Sequence, residues 1–92
     1  MDSRGRKLEK SVHSAAHAAL CELMIQARKQ AHLTQHELAT RLRKPQSFVA
    51  KYEGGERRLD VIELMAICEA IQVNPLALLR KLQKATGQGL VR

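Results

Sequence analysis

Tryptophan is absent from this chain, and phenylalanine and tyrosine occur once each. Any core must therefore be aliphatic, as in packed short helices. Two cysteines are too few for the disulfide framework of a small secreted domain. Cys21 and Cys68 fall on apolar faces of different segments and read as buried free thiols. No apolar run approaches the ~20 residues a membrane-spanning helix needs. The start, Met1-Asp2-Ser3-Arg4-Gly5-Arg6, lacks the apolar stretch of a signal peptide. The expected location is the cytoplasm, away from any membrane. Acidic side chains are also scarce, nine against sixteen Lys and Arg, so the net charge is +7.

Several chemistries are missing as well. There is no nucleophile–base–orienter set and no phosphate-cradling glycine loop after a strand, so the chain is not read as an enzyme. His13 and His17 lie four apart, but without a thiol or carboxylate at metal spacing they read as solvated helix residues. No metal or cofactor is expected. Strand alternation, internal repeats and low-complexity blocks are absent too. For a chain of 92 residues one core is expected, without a separate effector-binding or catalytic domain.

What is present is helical periodicity punctuated by caps. A first helix is expected from about Ser11 or Ser14 to Ala31, with Leu20, Leu23, Met24, Ala27 and Ala31 on one face. Thr34 and Glu37 form a T-x-x-E capping box, which opens a second helix at Gln35. Its apolar stripe is Leu38, Ala39 and Leu42. Small Ala39 allows a close crossing. Arg43-Lys44 is a turn, and Pro45 suits a helix start. A third helix covers 46–53, with Val49 and Tyr52 inward and Phe48 as a second anchor; packing in the core is the ordinary role for both aromatics. Gly54-Gly55 ends it with residues that tolerate a left-handed conformation. Asp60 and Glu63 make a second box for a helix over 61–71, where Val61, Leu64, Met65, Cys68 and Ile71 are expected to face the core. Asn74-Pro75 starts a fifth helix that runs to about Lys84, with Leu76, Leu79 and Leu82 on one side. Residues 1–10 and 85–92 read as tails around a domain over 11–84.

Two helices joined by a tight turn, the second presenting Gln46, Ser47, Ala50 and Lys51 outward, suit the major groove of duplex DNA. Charge agrees. Arg41, Arg43, Lys44, Lys51, Arg57 and Arg58 face only Glu53 and Glu56 in the same stretch, an excess of +4 around the proposed reading helix. A basic patch alone is often only a solvated surface; beside a reading helix it is a footprint for phosphates.

These residues resemble a family. Leu33-Thr34-Gln35-x-x-Leu38-Ala39, then Pro45-Gln46-Ser47-x-Val49-x-Lys51-Tyr52-Glu53-x-Gly55-x-Arg57, then an apolar helix, are similar to the Cro/C1-type, or Xre, helix-turn-helix domain, over roughly residues 20–80. The resemblance implies an all-α, five-helix, lambda-repressor-like fold. It implies that Gln35 binds a backbone phosphate, aided by the positive end of its helix. It also implies a two-fold homodimer on an inverted-repeat operator. The family usually has glycine where this chain has Arg43, so a strained or remodelled turn is expected.

The function expected is a sequence-specific regulator of transcription bound to double-stranded DNA, with repression as the first reading. Gln46 is the leading base contact, since an amide pairs bidentately with adenine. Lys51 reaches guanine or a phosphate, Ser47 specifies less, and Ala50 meets a thymine methyl. Arg43, Lys44, Arg57 and Arg58 are candidate phosphate contacts beside Gln35. Leu76, Leu79 and Leu82, with Leu78, exceed what one small core can bury and suggest a dimer surface. The alternative is a regulator, such as an antitoxin or antiactivator, that uses the same scaffold to capture a protein partner.

Overall fold

A computed structural model describes residues 14–87, and within them every element is a helix. The order is α1 Ala15–Gln30, α2 Gln35–Leu42, α3 Gln46–Glu53, α4 Val61–Ala70 and α5 Pro75–Thr86. The expected helices are all found. The tail over 1–10, His13 and residues 88–92 lie outside the described residues. α5 runs past Lys84 to Thr86, so Ala85 and Thr86 belong to a helix rather than to a tail.

The starts follow the caps. The Thr34 hydroxyl accepts from the Glu37 N–H at 3.0 Å, and the Glu37 carboxylate accepts from the Thr34 N–H at 2.9 Å. Asp60 and Glu63 repeat this at 2.7 and 3.0 Å. Asn74 accepts from the Leu76 N–H at 2.8 Å, with Pro75 at the first helical position. Ser14 caps α1. Each reciprocal box satisfies two orphan donors, so the start is set within one residue.

The ends share one geometry. His32, Arg43 and Gln72 each follow a helix with φ near +60°. After each, the next N–H reaches back five residues: Leu33 to Arg28, Lys44 to Ala39, Val73 to Cys68. Gly55, φ +82°, makes the same turn after α3, whereas Gly54 stays right-handed. These are Schellman closures, and three of the four place a side chain where glycine is favoured. The Arg43 turn is therefore not remodelled; it keeps the left-handed geometry and accepts the strain.

α1 packs mainly along α5, and α2 mainly against α3. Met24, Leu38, Val49, Ile67 and Cys68 are fully enclosed at the centre. The packing of α4 corrects the expectation for its faces. Leu64, Ile67, Cys68 and Ile71 point inward, while Val61 and Met65 are exposed beside Ile62. The stripe from Val61 and the stripe at 64, 67, 68 and 71 both satisfy i, i+3, i+4, i+7, so packing rather than period chooses between them. His17 is also corrected. It is buried, one turn before Leu20 and Cys21 and two before Met24 on the inward face of α1.

Left-handed strain in a side-chain-bearing residue costs roughly 1–2 kcal/mol, part of which glycine returns as unfolded-state entropy. Gln72→Gly should therefore raise the unfolding free energy by about 0.5–1 kcal/mol. Arg43→Gly should raise it similarly. Urea melts of the two variants check the pair; a destabilised Gln72→Gly contradicts the strain argument.

Candidate nucleic-acid interface

α3 is held down on one side and free on the other. Val49, Tyr52 and Glu53 are buried, and Phe48 is half-buried. The rings of Phe48 and Tyr52 meet edge to face, centroids 5.4 Å apart. Gln46, Ser47, Ala50 and Lys51 are all exposed. The outward face expected from periodicity is thus the free face of the helix.

Beneath it runs a polar chain that the sequence reading did not assemble. Arg28, in the last turn of α1, makes a forked ion pair with Glu53, the last residue of α3. Nε donates to Oε2 at 2.7 Å and Nη2 to Oε1 at 3.1 Å. Nη1 donates to the Leu33 carbonyl at 2.7 Å, which ties in the α1–α2 turn. Gln35, the first residue of α2, donates from Nε2 to Glu53 Oε1 at 2.9 Å. Gln46, the first residue of α3, donates from Nε2 to Gln35 Oε1 at 3.5 Å. One buried carboxylate therefore links three helices and ends at the exposed amide. The signal was periodicity. Glu53 sits four residues after Val49 and Arg28 four after Met24, both on inward stripes.

The basic residues divide into two kinds. Arg43 and Lys44, in the α2–α3 turn, are exposed, and the Lys44 ammonium lies 5.5 Å from the Phe48 ring centroid. Arg57 is only half-exposed. Its guanidinium lies 4.8 Å from the same centroid and forms a bidentate pair with Glu63 at 2.7 and 3.0 Å. It also donates to the Arg58 carbonyl at 2.9 Å. The Arg57 guanidinium and the Asp60 N–H hold the Glu63 carboxyl down at about 2, so the pair stays charged well below neutrality. Arg57 thus bolts the α3–α4 loop to the start of α4 and fixes the exposed Arg58 beside it.

Two further expectations concern sulfur and apolar surface. Both cysteines are free; Cys68 is buried and Cys21 half-buried, its thiol donating to the Tyr52 carbonyl at 3.3 Å. Burial pushes both thiols up, which keeps them protonated and unreactive at neutral pH. Of the α5 leucines, Leu78 closes the core, Leu76 and Leu79 are exposed, and Leu82 is half-buried. Among the described residues there is no group of three or more His, Cys, Asp or Glu placed to hold a metal ion. No single helix among them is long and apolar enough to cross a membrane.

Comparison with known proteins converges on this arrangement. A helix-turn-helix family model matches residues 24–78, more than half of the chain. Among solved structures, an XRE-family like protein from Pseudomonas syringae pv. tomato str. DC3000 is 52% identical, with a TM-score of 0.76; the alignment covers 86% of this chain and 96% of that one. No curated protein matches.

Removing one member of a buried pair strands the other charge, which costs about 3–5 kcal/mol. Glu53→Ala should destabilise by that amount. Arg28→Leu with Glu53→Leu should cost much less than the two single changes together, since neither charge is left alone. Denaturant melts of the four proteins measure this; additive losses would show that the pair is not coupled.

Proposed function

The chain belongs to the Cro/C1-type (Xre) helix-turn-helix family and is a DNA-binding transcriptional regulator; on that premise we propose that it reads a specific duplex sequence with α3 in the major groove and acts as a repressor. The carrying observation is the free face of α3, where Gln46, Ser47, Ala50 and Lys51 stand exposed on a helix anchored from behind. Gln46 is at the N-terminal end, the end that meets base edges in this mode of docking. Its amide pairs with adenine N6 and N7, Lys51 reaches guanine or a phosphate, and Ala50 meets a thymine methyl. Ser47 adds a weaker donor or acceptor.

Phosphates are held around that helix. Gln35 keeps one Nε2 hydrogen after its bond to Glu53, and it lies at the positive start of α2. Arg43 and Lys44 flank α3 at its entry, and Arg57 and Arg58 at its exit. Arg57 is the most rigid of these contacts, because its pairing with Glu63 fixes the loop. The unit of action is the domain over 11–84, extended to Thr86, with tails on either side, working in the cytoplasm.

One domain grips a half-site, so a second copy is proposed to complete the operator as an inverted repeat. Two exposed apolar faces support a dimer: Val61, Ile62 and Met65 on α4, and Leu76 and Leu79 on α5, with Leu82 beside them. Ile62 is 74% and Leu76 63% exposed. Large aliphatic side chains left this open mark an association surface. The dimer face is accordingly wider than the α5 leucines alone.

Gln46→Ala should cost on the order of 1–3 kcal/mol on the preferred duplex and relax preference at one base position per half-site. Lys44→Ala should weaken binding to all duplexes alike and make the slope of log K against log salt shallower by about 0.9. Ile62→Glu should yield a monomer by sedimentation with the fold intact. A base-substitution binding series at several salt concentrations checks the first two. A wild type without preference among duplexes would instead favour capture of a protein partner.

A further inference from the structure

We infer that Glu53, which cannot reach DNA, is a positioning residue for sequence readout: its carboxylate fixes which way round the Gln46 amide is presented. The inference rests on the reading of Gln46 as a base contact. An amide has a donor end and an acceptor end that exchange on a half-turn of the terminal torsion. An exposed amide is ordinarily free to make that exchange. A carboxylate is different, because an ionised one only accepts.

The polarity then propagates in one direction. The Glu53 side chain is 3% exposed and held by the Arg28 fork. Its Oε1 requires a donor from Gln35, so Gln35 turns Nε2 inward, at 2.9 Å. That turns Gln35 Oε1 toward α3, where it requires a donor from Gln46. Gln46 answers with Nε2 at 3.5 Å. This last contact is the longest of the series, so it orients the amide rather than clamps it. Gln46 is left with one N–H and its Oε1, in a fixed order across the groove. Adenine offers N7 as acceptor and N6 as donor, also in a fixed order, which reverses when the pair is T·A. An oriented amide distinguishes the two orientations; an amide free to flip matches both better.

The test has one arm without DNA and one with it. In the isotope-labelled full chain, solvent exchange of the Gln35 and Gln46 side-chain amide protons is measured by NMR for wild type and Glu53→Gln. A glutamine at 53 can present either end, so exchange should rise several-fold at both amides. In the second arm, wild type, Glu53→Gln, Gln35→Ala and Gln46→Ala are each enriched against a randomised duplex library. Gln46→Ala identifies the base pair that Gln46 reads. At that pair, Glu53→Gln and Gln35→Ala should lose A·T-over-T·A preference on the order of tenfold, with the other positions retained. Should Glu53→Gln fail to fold, Gln35→Ala decides, since it cuts the chain and leaves the ion pair whole. A full A·T preference in Gln35→Ala, or in folded Glu53→Gln, overturns the inference. If Gln46→Ala keeps the wild-type profile, the base-contact reading fails; the polarity chain is then judged by the first arm, where unchanged amide exchange in Glu53→Gln overturns it.

Discussion

The buried pair between Arg28 and Glu53 is the constraint on which the rest of this small protein depends. A charged pair removed from water gains little unless its remaining hydrogen-bonding capacity is met. Here it is met from three sides: by the fork itself, by the Leu33 carbonyl and by the Gln35 amide. Each of these partners belongs to a different piece of chain. The pair therefore fixes how α1, the α1–α2 turn, the start of α2 and the end of α3 sit together. An apolar contact at the same place would allow sliding, whereas forked hydrogen bonds specify distance and angle.

That rigidity suits a domain whose surface must match another surface to within a fraction of an ångström. α3 has only eight residues, too few for independent helical stability. It is held by Val49 and Tyr52 in the core, by Phe48 at its flank and by the pair at its end. The Arg57–Glu63 pair performs a similar task for the loop that follows, and its guanidinium covers the Phe48 ring. Between these anchors the outward side chains are left without structural duties, apart from the light contact between Gln46 and Gln35. Strain is accepted at Arg43, in the turn that enters α3, where the same residue offers an exposed positive charge.

Much of this was legible in the sequence. The capping boxes at Thr34 and Asp60 and the Asn74-Pro75 pair set three helix starts, because a cap is a local interaction and its partners lie two or three residues apart. The two sides of α3 were legible for the same reason: Val49 and Tyr52 obey a helical period. The exposed faces of α4 were not. A helix rich in apolar residues on all sides, such as Val61–Ala70, carries little angular information, and only the packing decides that Ile67 faces in and Val61 out. Nor was the ion pair. Its members are 25 residues apart, and charged side chains are ordinarily assigned to solvent. Inward phase on two helices was the only trace of it. His17 was missed by the same habit.

The central claim is that Gln46 reads an adenine in the major groove. The most direct measurement replaces that adenine, in the preferred duplex, by 7-deazaadenine, which removes the N7 acceptor and leaves base pairing intact. The account predicts that wild type loses affinity on this duplex and that Gln46→Ala, already without the donor, loses none. An equal loss in both proteins would contradict it.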